Sequence, residues 1–133
     1  MTDYDWYIGR RVDSGSLVYG DLIHDYYKMG DTCIGHFRKD AGVFEVDPDT
    51  VGRCTGERAA DNTFLYEGEV AREADVVHDG KVQIPGRVFK IAMRKGCWVG
   101  LTENDWEFLH SIAKDLTVIA EPGELEDSDG IRR

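Results

Sequence analysis

Hydrophobic and polar positions alternate over short stretches of this chain, with the period of a half-buried β-strand. The clearest stretch runs from Val88 to Met93, where Phe89, Ile91 and Met93 fall on one face and Val88, Lys90 and Ala92 on the other. Further strands are predicted at Leu17 to Ile23, Thr32 to Phe37, Val43 to Val46, Val70 to Ala74, Cys97 to Leu101 and Leu116 to Ala120. The pattern predicts a mainly β fold of short antiparallel strands.

Turn-forming residues separate these strands. Asp79-Gly80 lies between the strand-like stretches Ala74 to Val77 and Lys81 to Ile84, and predicts a two-residue hairpin because both positions tolerate positive φ. Lys95-Gly96 predicts a second tight turn. Proline cannot donate to a β-ladder, so we expect the strand that starts at Val43 to stop at Asp47-Pro48-Asp49.

One amphipathic helix is predicted near residues 103–115. Thr102 can cap its first turn, and Asp105 completes a capping box three residues later. Apolar residues then recur at three- and four-residue steps, which places one stripe against the core. That stripe comprises Trp106, Leu109, Ile112, Ala113 and Leu116. We expect Trp106 and the neighbouring Phe108 to be core residues.

Length and charge constrain the class of protein. The chain has 133 residues and a net charge of −10, which suits one compact domain over residues 1–123. Residues 124–133 are expected to form a mobile acidic tail. No apolar run approaches the roughly 20 residues that a membrane helix needs, so no membrane association is expected.

Cysteine usage and the N-terminus indicate the compartment. Cys33, Cys54 and Cys97 are odd in number and far apart, which argues against a disulfide framework and for a reducing environment. The N-terminal residues are acidic and aromatic, unlike a secretory leader. We therefore expect a cytoplasmic protein.

No motif predicts a cofactor or a metal site. Cys33 and His36 have a metal-like gap, but an offset of three in a strand puts them on opposite faces. The stretch from Asp47 resembles the start of a calcium loop, yet the twelfth position is Arg58 where the loop needs a bidentate Glu. Phosphate-binding loops are also missing from the sequence. We expect no enzyme activity, no cofactor and no catalytic residues.

Glu67-Gly68-Glu69 leaves two interpretations open. A pair of carboxylates can act as general acid and base if one is buried. Alternatively, the segment is an exposed strand edge with a bend or bulge at Gly68. We expect the exposed edge, with Gly68 in a structural role.

Three separated blocks resemble the YopX family of phage and prophage proteins. The stretch Tyr7 to Ile23, with Val18-Tyr19-Gly20-Asp21-Leu22-Ile23, is similar to the family's opening pattern, which ends in V-Y-G-D-L-I. Phe44 to Gly56 resembles its V-D-P-E-T-V-G-Q-Y-T-G, and Leu65 to Glu69 its I-Y-E-G-D. The sequence departs from the family at Asp61-Asn62, in place of Asn-Gly, and at Glu69, in place of Asp. The resemblance covers nearly the whole chain and implies a phage or prophage origin and a mainly β fold with a small barrel-like half.

Charge and resemblance together suggest a binding function. We expect a non-enzymatic accessory protein that binds a host or phage protein, for example a host defence factor or a basic nucleic-acid-binding protein, through an acidic surface. The candidate partner-binding residues are Asp47, Asp49, Glu67 and Glu69. The net charge argues against direct nucleic-acid binding. The alternative is a small nucleic-acid-binding β-barrel module using Arg87, Lys90, Arg94 and Trp98.

Overall fold

The mainly β prediction is confirmed. The computed structural model describes residues 6–35 and 42–122, and within these ranges antiparallel strands predominate, with a single short α-helix. The strands are β1 (Tyr7–Arg11), β2 (Leu17–His24), β3 (Thr32–Gly35), β4 (Val43–Arg58), β5 (Phe64–Tyr66), β6 (Val70–Glu73), β7 (Val76–His78), β8 (Lys81–Ile84), β9 (Val88–Arg94), β10 (Cys97–Leu101), β11 (Trp106–Phe108) and β12 (Leu116–Ala120). Helix α1 (Leu109–Ile112) is followed by a 3-10 turn, Ala113–Asp115. Among the residues described, no helix is long and apolar enough to span a bilayer.

The chain divides into two compact units. Unit 1 comprises Met1–Cys54 and Pro122–Arg133, and unit 2 comprises Thr55–Glu121. The single domain predicted over residues 1–123 stays a prediction, to which the structure adds this division. The predicted mobile tail, 124–133, lies outside the described residues.

Unit 1 is the barrel-like half. Strand β1 pairs antiparallel with β2 and also with β4, while β3 pairs with both β2 and β4. The pairings therefore run in a ring through these four strands, although the sheet is not a formally closed barrel. Its buried apolar residues are Ile8, Ile23, Cys33, Ile34, Val46 and Cys54.

Strand β4 does not stop where the sequence predicted. It continues to Arg58, and Asp47-Pro48-Asp49 forms a bulge inside it: Arg10 of β1 pairs with Asp47 whereas Ile8 pairs with Gly52. A bulge removes residues from the ladder, so the missing amide hydrogen of Pro48 costs no ladder bond there. Proline thus interrupts the pairing without ending the strand.

Unit 2 contains a five-stranded antiparallel sheet in the order β11-β10-β9-β6-β12. One face of this sheet packs on α1 and the 3-10 turn. The core cluster consists of Ala59, Leu65, Ala71, Phe89, Ile91, Leu109, Ile112, Ala113 and Leu116, with Trp98 and Val118 packed against it. The predicted Asp79-Gly80 and Lys95-Gly96 turns are present, with positive φ at all four residues.

The predicted helix over residues 103–115 is too long. The Thr102 hydroxyl accepts a hydrogen bond from the Asp105 amide at 2.9 Å, as in a capping box, but the Thr102 amide also donates to the Asp105 carbonyl at 2.8 Å. Together these bonds close a turn that pairs Leu101 with Trp106. The chain therefore enters strand β11 first, and only Leu109–Ile112 is α-helical.

Candidate functional site

The Asp47–Asp49 bulge is rigid and exposed. The Asp47 carboxylate accepts the Asp49 amide at 3.0 Å. Thr50 is buried, and its hydroxyl donates to the Asp47 carbonyl at 2.7 Å and accepts the Arg10 amide at 2.8 Å. These bonds hold two carboxylates out in solvent on a fixed backbone.

The side chains of the neighbouring Arg10 and Arg11 bond other residues. Arg10 donates through Nε to the Pro122 carbonyl at 2.9 Å and through Nη1 to the Gly15 carbonyl at 2.9 Å. Arg11 forms an ion pair with Asp13 at 2.6 Å, which raises the pKa of Arg11 and lowers that of Asp13. A shallow depression of about 450 Å³ lies beside the bulge, lined in part by Arg10, Asp47 and Thr50.

Glu67, Gly68 and Glu69 form a tight turn between β5 and β6. Gly68 has φ +93°, a conformation that side chains with a Cβ rarely adopt, which supports the predicted structural role of this glycine. The Glu69 amide donates to the Tyr66 carbonyl at 3.1 Å, and the Glu69 carboxyl accepts the Tyr66 amide at 2.7 Å. The side chain of Glu69 thus closes its own turn.

The expectation that Glu69 is exposed is wrong. Its residue is only 3% exposed, so its carboxyl cannot present charge to a partner. Burial, together with a hydrogen bond to the Glu121 carboxyl, raises the pKa of Glu69 from 4.5 to about 9. At neutral pH Glu69 is therefore protonated and can donate a hydrogen bond to Glu121.

This carboxyl pair suits a structural role better than catalysis. A buried acid beside a second carboxyl is the arrangement that general acid–base chemistry uses. However, Glu69 already bonds both the Tyr66 amide and Glu121, and its burial keeps a substrate from reaching the carboxyl. Within the described ranges, no three His, Cys, Asp or Glu residues are grouped so that they could hold a metal ion.

The four predicted partner-binding residues form two pairs. Asp47 and Asp49 share one bulge in unit 1, whereas Glu67 and Glu69 share one turn in unit 2. Glu67 is half-buried and Glu69 is buried. Of the two pairs, only Asp47 and Asp49 are both exposed, and their backbone is held by the hydrogen bonds described above.

The alternative basic site is divided between two faces of the unit 2 sheet. Trp98 packs against the core cluster. Arg87 lies over the Phe89 ring and bonds Glu73 at 2.6 Å and Glu107 at 3.0 Å. Successive residues of a strand point to opposite faces, so Lys90 and Arg94 of β9, an odd number of positions from buried Phe89, point away from it. The grouping expected from the sequence is therefore not formed.

The structure has two exposed aromatic pairs that were not predicted from the sequence. Trp106 and Phe108, predicted as core, are 39% and 50% exposed, with ring centroids 4.9 Å apart. Their period-two spacing in a strand was the available signal. Tyr26 and Tyr27 form a similar pair, 4.8 Å apart, in the β2–β3 loop.

A buried carboxylate organises that tyrosine loop. Asp31 accepts the backbone amides of Tyr26, Tyr27 and Lys28 at 3.0, 3.1 and 3.0 Å. Burial acts to raise the pKa of Asp31, but the three amide bonds outweigh it and the pKa is lowered. The loop is therefore held in one conformation by an ionised side chain.

Comparison with known proteins adds no relative. Neither a protein-family model, nor a curated protein, nor a solved structure matches this chain.

Proposed function

We propose that this chain is a non-enzymatic accessory protein of phage or prophage origin that acts by binding a basic protein of the host or phage. The observation that carries the proposal is the Asp47–Asp49 bulge, which presents two exposed carboxylates on a backbone fixed by three hydrogen bonds. A preorganised acidic loop loses little conformational entropy when it binds. The net charge of −10 adds long-range attraction for a basic partner.

The partner is expected to be a cationic protein, such as a nucleic-acid-processing or defence factor, and the setting is the bacterial cytosol. Such proteins carry basic surfaces for phosphate, which an acidic protein can occupy. Glu67 is retained as a secondary contact, whereas buried Glu69 is not.

Isosteric neutralisation of the bulge tests this function. Asp47→Asn keeps the carbonyl oxygen that accepts the Asp49 amide, so the double variant D47N/D49N removes charge and leaves the backbone bonds in place. Tagged wild type and variant are used for capture from bacterial lysate at low and high salt, and the affinity of the purified captured protein is then measured. Losing two charge contacts is expected to weaken binding roughly 3- to 30-fold.

The matched control is D79N/E103Q, which removes the same charge from exposed positions of unit 2. The proposal requires a captured protein that this control retains and D47N/D49N loses. Equal capture by the two variants, or no specific protein at either salt, would contradict it.

A further inference from the structure

The sheet of unit 2 has a second face, opposite the core, which we call the outer face. Gly100 faces the core, because a Cβ built on it would lie 3.0 Å from both Ile112 and Phe89. Leu101, one residue on, therefore faces outward. Leu101 pairs with Lys90 of β9 and with Trp106 of β11, and directly paired residues share a face. The register thus places Lys90 and Trp106 together on the outer face.

Aromatic rings form one side of the outer face. Trp106 and Phe108 alternate along β11, the edge strand, and stand edge to face at 4.9 Å. They are 39% and 50% exposed. Val88, also on this face, is exposed as well. Val99 of β10, which pairs with Phe108 on this face, is buried, so the exposed apolar surface lies at the β11 edge. Large rings left half exposed on a regular strand indicate a contact surface.

Positive charge forms the other side. Lys90 and Arg94 alternate with buried residues along β9 and are exposed. Neither forms a salt bridge with a residue that the structure describes, in contrast to Arg87 on the core face. Strand β9 lies two strands from β11, so the cations and the rings are separated by about 10 Å.

The strands of this sheet place their own carboxylates on the core face. Of the 26 acidic residues in the chain, those on the described strands of this sheet are Glu73 and Glu107. Glu107 pairs with core-facing Gly100, and Glu73 pairs with buried Leu116. Both therefore lie on the core face, where they bond Arg87. One carboxylate does reach this face, because Arg72 pairs with outward-facing Val88 and bonds Asp75 at 2.7 Å. The outward-facing residues of β9, β10 and β11 are themselves apolar or cationic, in a chain that is strongly acidic.

We propose that the outer face binds single-stranded nucleic acid, with unpaired bases stacked on Trp106 and Phe108 and phosphates contacting Lys90 and Arg94. Exposed rings beside cations are the combination that single-strand-binding sheets use, and it tolerates any base sequence. A duplex offers no free base face to these rings, because its bases are stacked and paired. This binding is independent of the Asp47–Asp49 bulge.

The test measures fluorescence anisotropy of a labelled oligothymidylate, which cannot form a duplex with itself. Wild type should bind it and bind the matching duplex at least tenfold more weakly. Loss of two stacking platforms in W106A/F108A should weaken binding by tenfold or more. The conservative W106F/F108Y keeps both rings and should restore affinity to within about threefold of wild type.

Charge reversal in K90E/R94E should also weaken binding at least tenfold. Two phosphate contacts on a single strand predict a slope of log affinity against log salt near −1.4, by roughly 0.7 per contact, and the variant should flatten it. The matched controls are K81E/K114E, with the same change in net charge at exposed sites of unit 2, and Y26A/Y27A, which removes the other exposed aromatic pair. Both controls should bind as wild type does.

Several results would overturn the proposal. These are no binding of the oligonucleotide by wild type at micromolar protein, equal binding by W106A/F108A and wild type, and equal preference for the duplex. A dimer in sedimentation that W106A/F108A dissociates, without oligonucleotide binding, would assign the face to a second copy instead. Circular dichroism and thermal unfolding of each variant show that a loss of binding is not a loss of fold.

Discussion

Glu69 lies in a polar stretch of sequence that predicts an exposed, charged carboxylate, yet burial keeps this residue protonated. It follows Glu67 and Gly68 in a turn, yet the carboxyl is enclosed, accepts the Tyr66 amide and bonds the Glu121 carboxyl. The unfolded chain loses that proton above pH 4.5, whereas the folded chain keeps it until about pH 9. The folded state therefore binds more protons over this interval, and stability falls as pH rises.

This linkage predicts the effect of Glu69→Gln. The amide can accept the Tyr66 amide and donate to Glu121 without needing a proton from solvent. The variant should match wild type near pH 4.5. As pH rises toward 9 the wild type loses stability and the variant does not, so the difference in unfolding free energy should grow by up to roughly 1.4 kcal/mol per pH unit. Urea unfolding at a series of pH values measures the difference between the two proteins.

A control substitution at another glutamate separates the effect of Glu69 on the pH dependence of stability from the effects of other titrating groups. Asp31 and Glu73 have lowered pKa values and reduce stability at acid pH in both proteins. Glu103→Gln, at an exposed position, should keep the wild-type fall in stability toward pH 9. The same fall in Glu69→Gln would show that the proton on Glu69 is not its source.

Leu109 is the residue whose truncation tests the core of unit 2. It is fully buried among Phe89, Ile91 and Ile112 in the core cluster. Leu109→Ala should lower the free energy of unfolding by about 2–5 kcal/mol, from lost burial and the cavity left behind. Denaturant titration provides the measurement, and a change below about 0.5 kcal/mol would contradict this packing.

At the scale of elements, the β7–β8 hairpin stands apart from the sheets. It forms its own two-stranded sheet, and each of its seven residues is exposed, including Val76, Val77, Val82 and Ile84. An isolated hairpin of this kind is marginally stable in water. Nothing in the described structure buries its aliphatic side chains.

Hydrogen exchange should reveal this difference. Amides of Val77 and Val82 are expected to exchange faster, by at least tenfold, than those of Ile91 and Val99 in the central strands β9 and β10, because local opening of the hairpin exposes no core. Mass spectrometry of exchanged peptides resolves the two regions. Equal protection in both would mean that the hairpin is covered in solution.

Much of the architecture followed from local pattern. The strands around Val88 to Met93 and Cys97 to Leu101 and both two-residue turns were predicted correctly, since period-two alternation and positive φ are local properties. The helix was overestimated because Trp106 and Phe108 fit a helical stripe and a strand equally well. The strand pairing at Leu101 decided between them, and that contact is tertiary.

The candidate sites were harder to predict than the fold. Exposure of Asp47 and Asp49 followed from the turn residues around Pro48. The Glu69 carboxyl bonds Glu121, 52 positions away in the chain, and no local signal links the two residues or predicts that Glu69 is buried. The cationic aromatic face likewise depends on the register of three strands, which brings Lys90 and Trp106 to the same side.

For the whole molecule, charge is distributed unevenly. The net charge of −10 determines the electrostatic force on a partner that is still far away. Once the partner is in contact, screening leaves the charges of the contacting residues to decide the interaction. The bulge offers carboxylates, and the outer face offers rings and cations. A protein that is acidic overall can therefore carry a local surface suited to phosphate.

The exposed thiol of Cys97 allows a label to be attached on the outer face. Cys33 and Cys54 are buried, and burial raises the pKa of the Cys33 thiol, so both are slow to react. Cys97 is exposed and pairs with Arg94 across the β9–β10 turn. A maleimide dye should therefore attach at this one position in the folded protein, beside the cations and without any engineered cysteine. The same exposure means that purification without reductant would link two molecules through Cys97, masking the surface that the dye is meant to report.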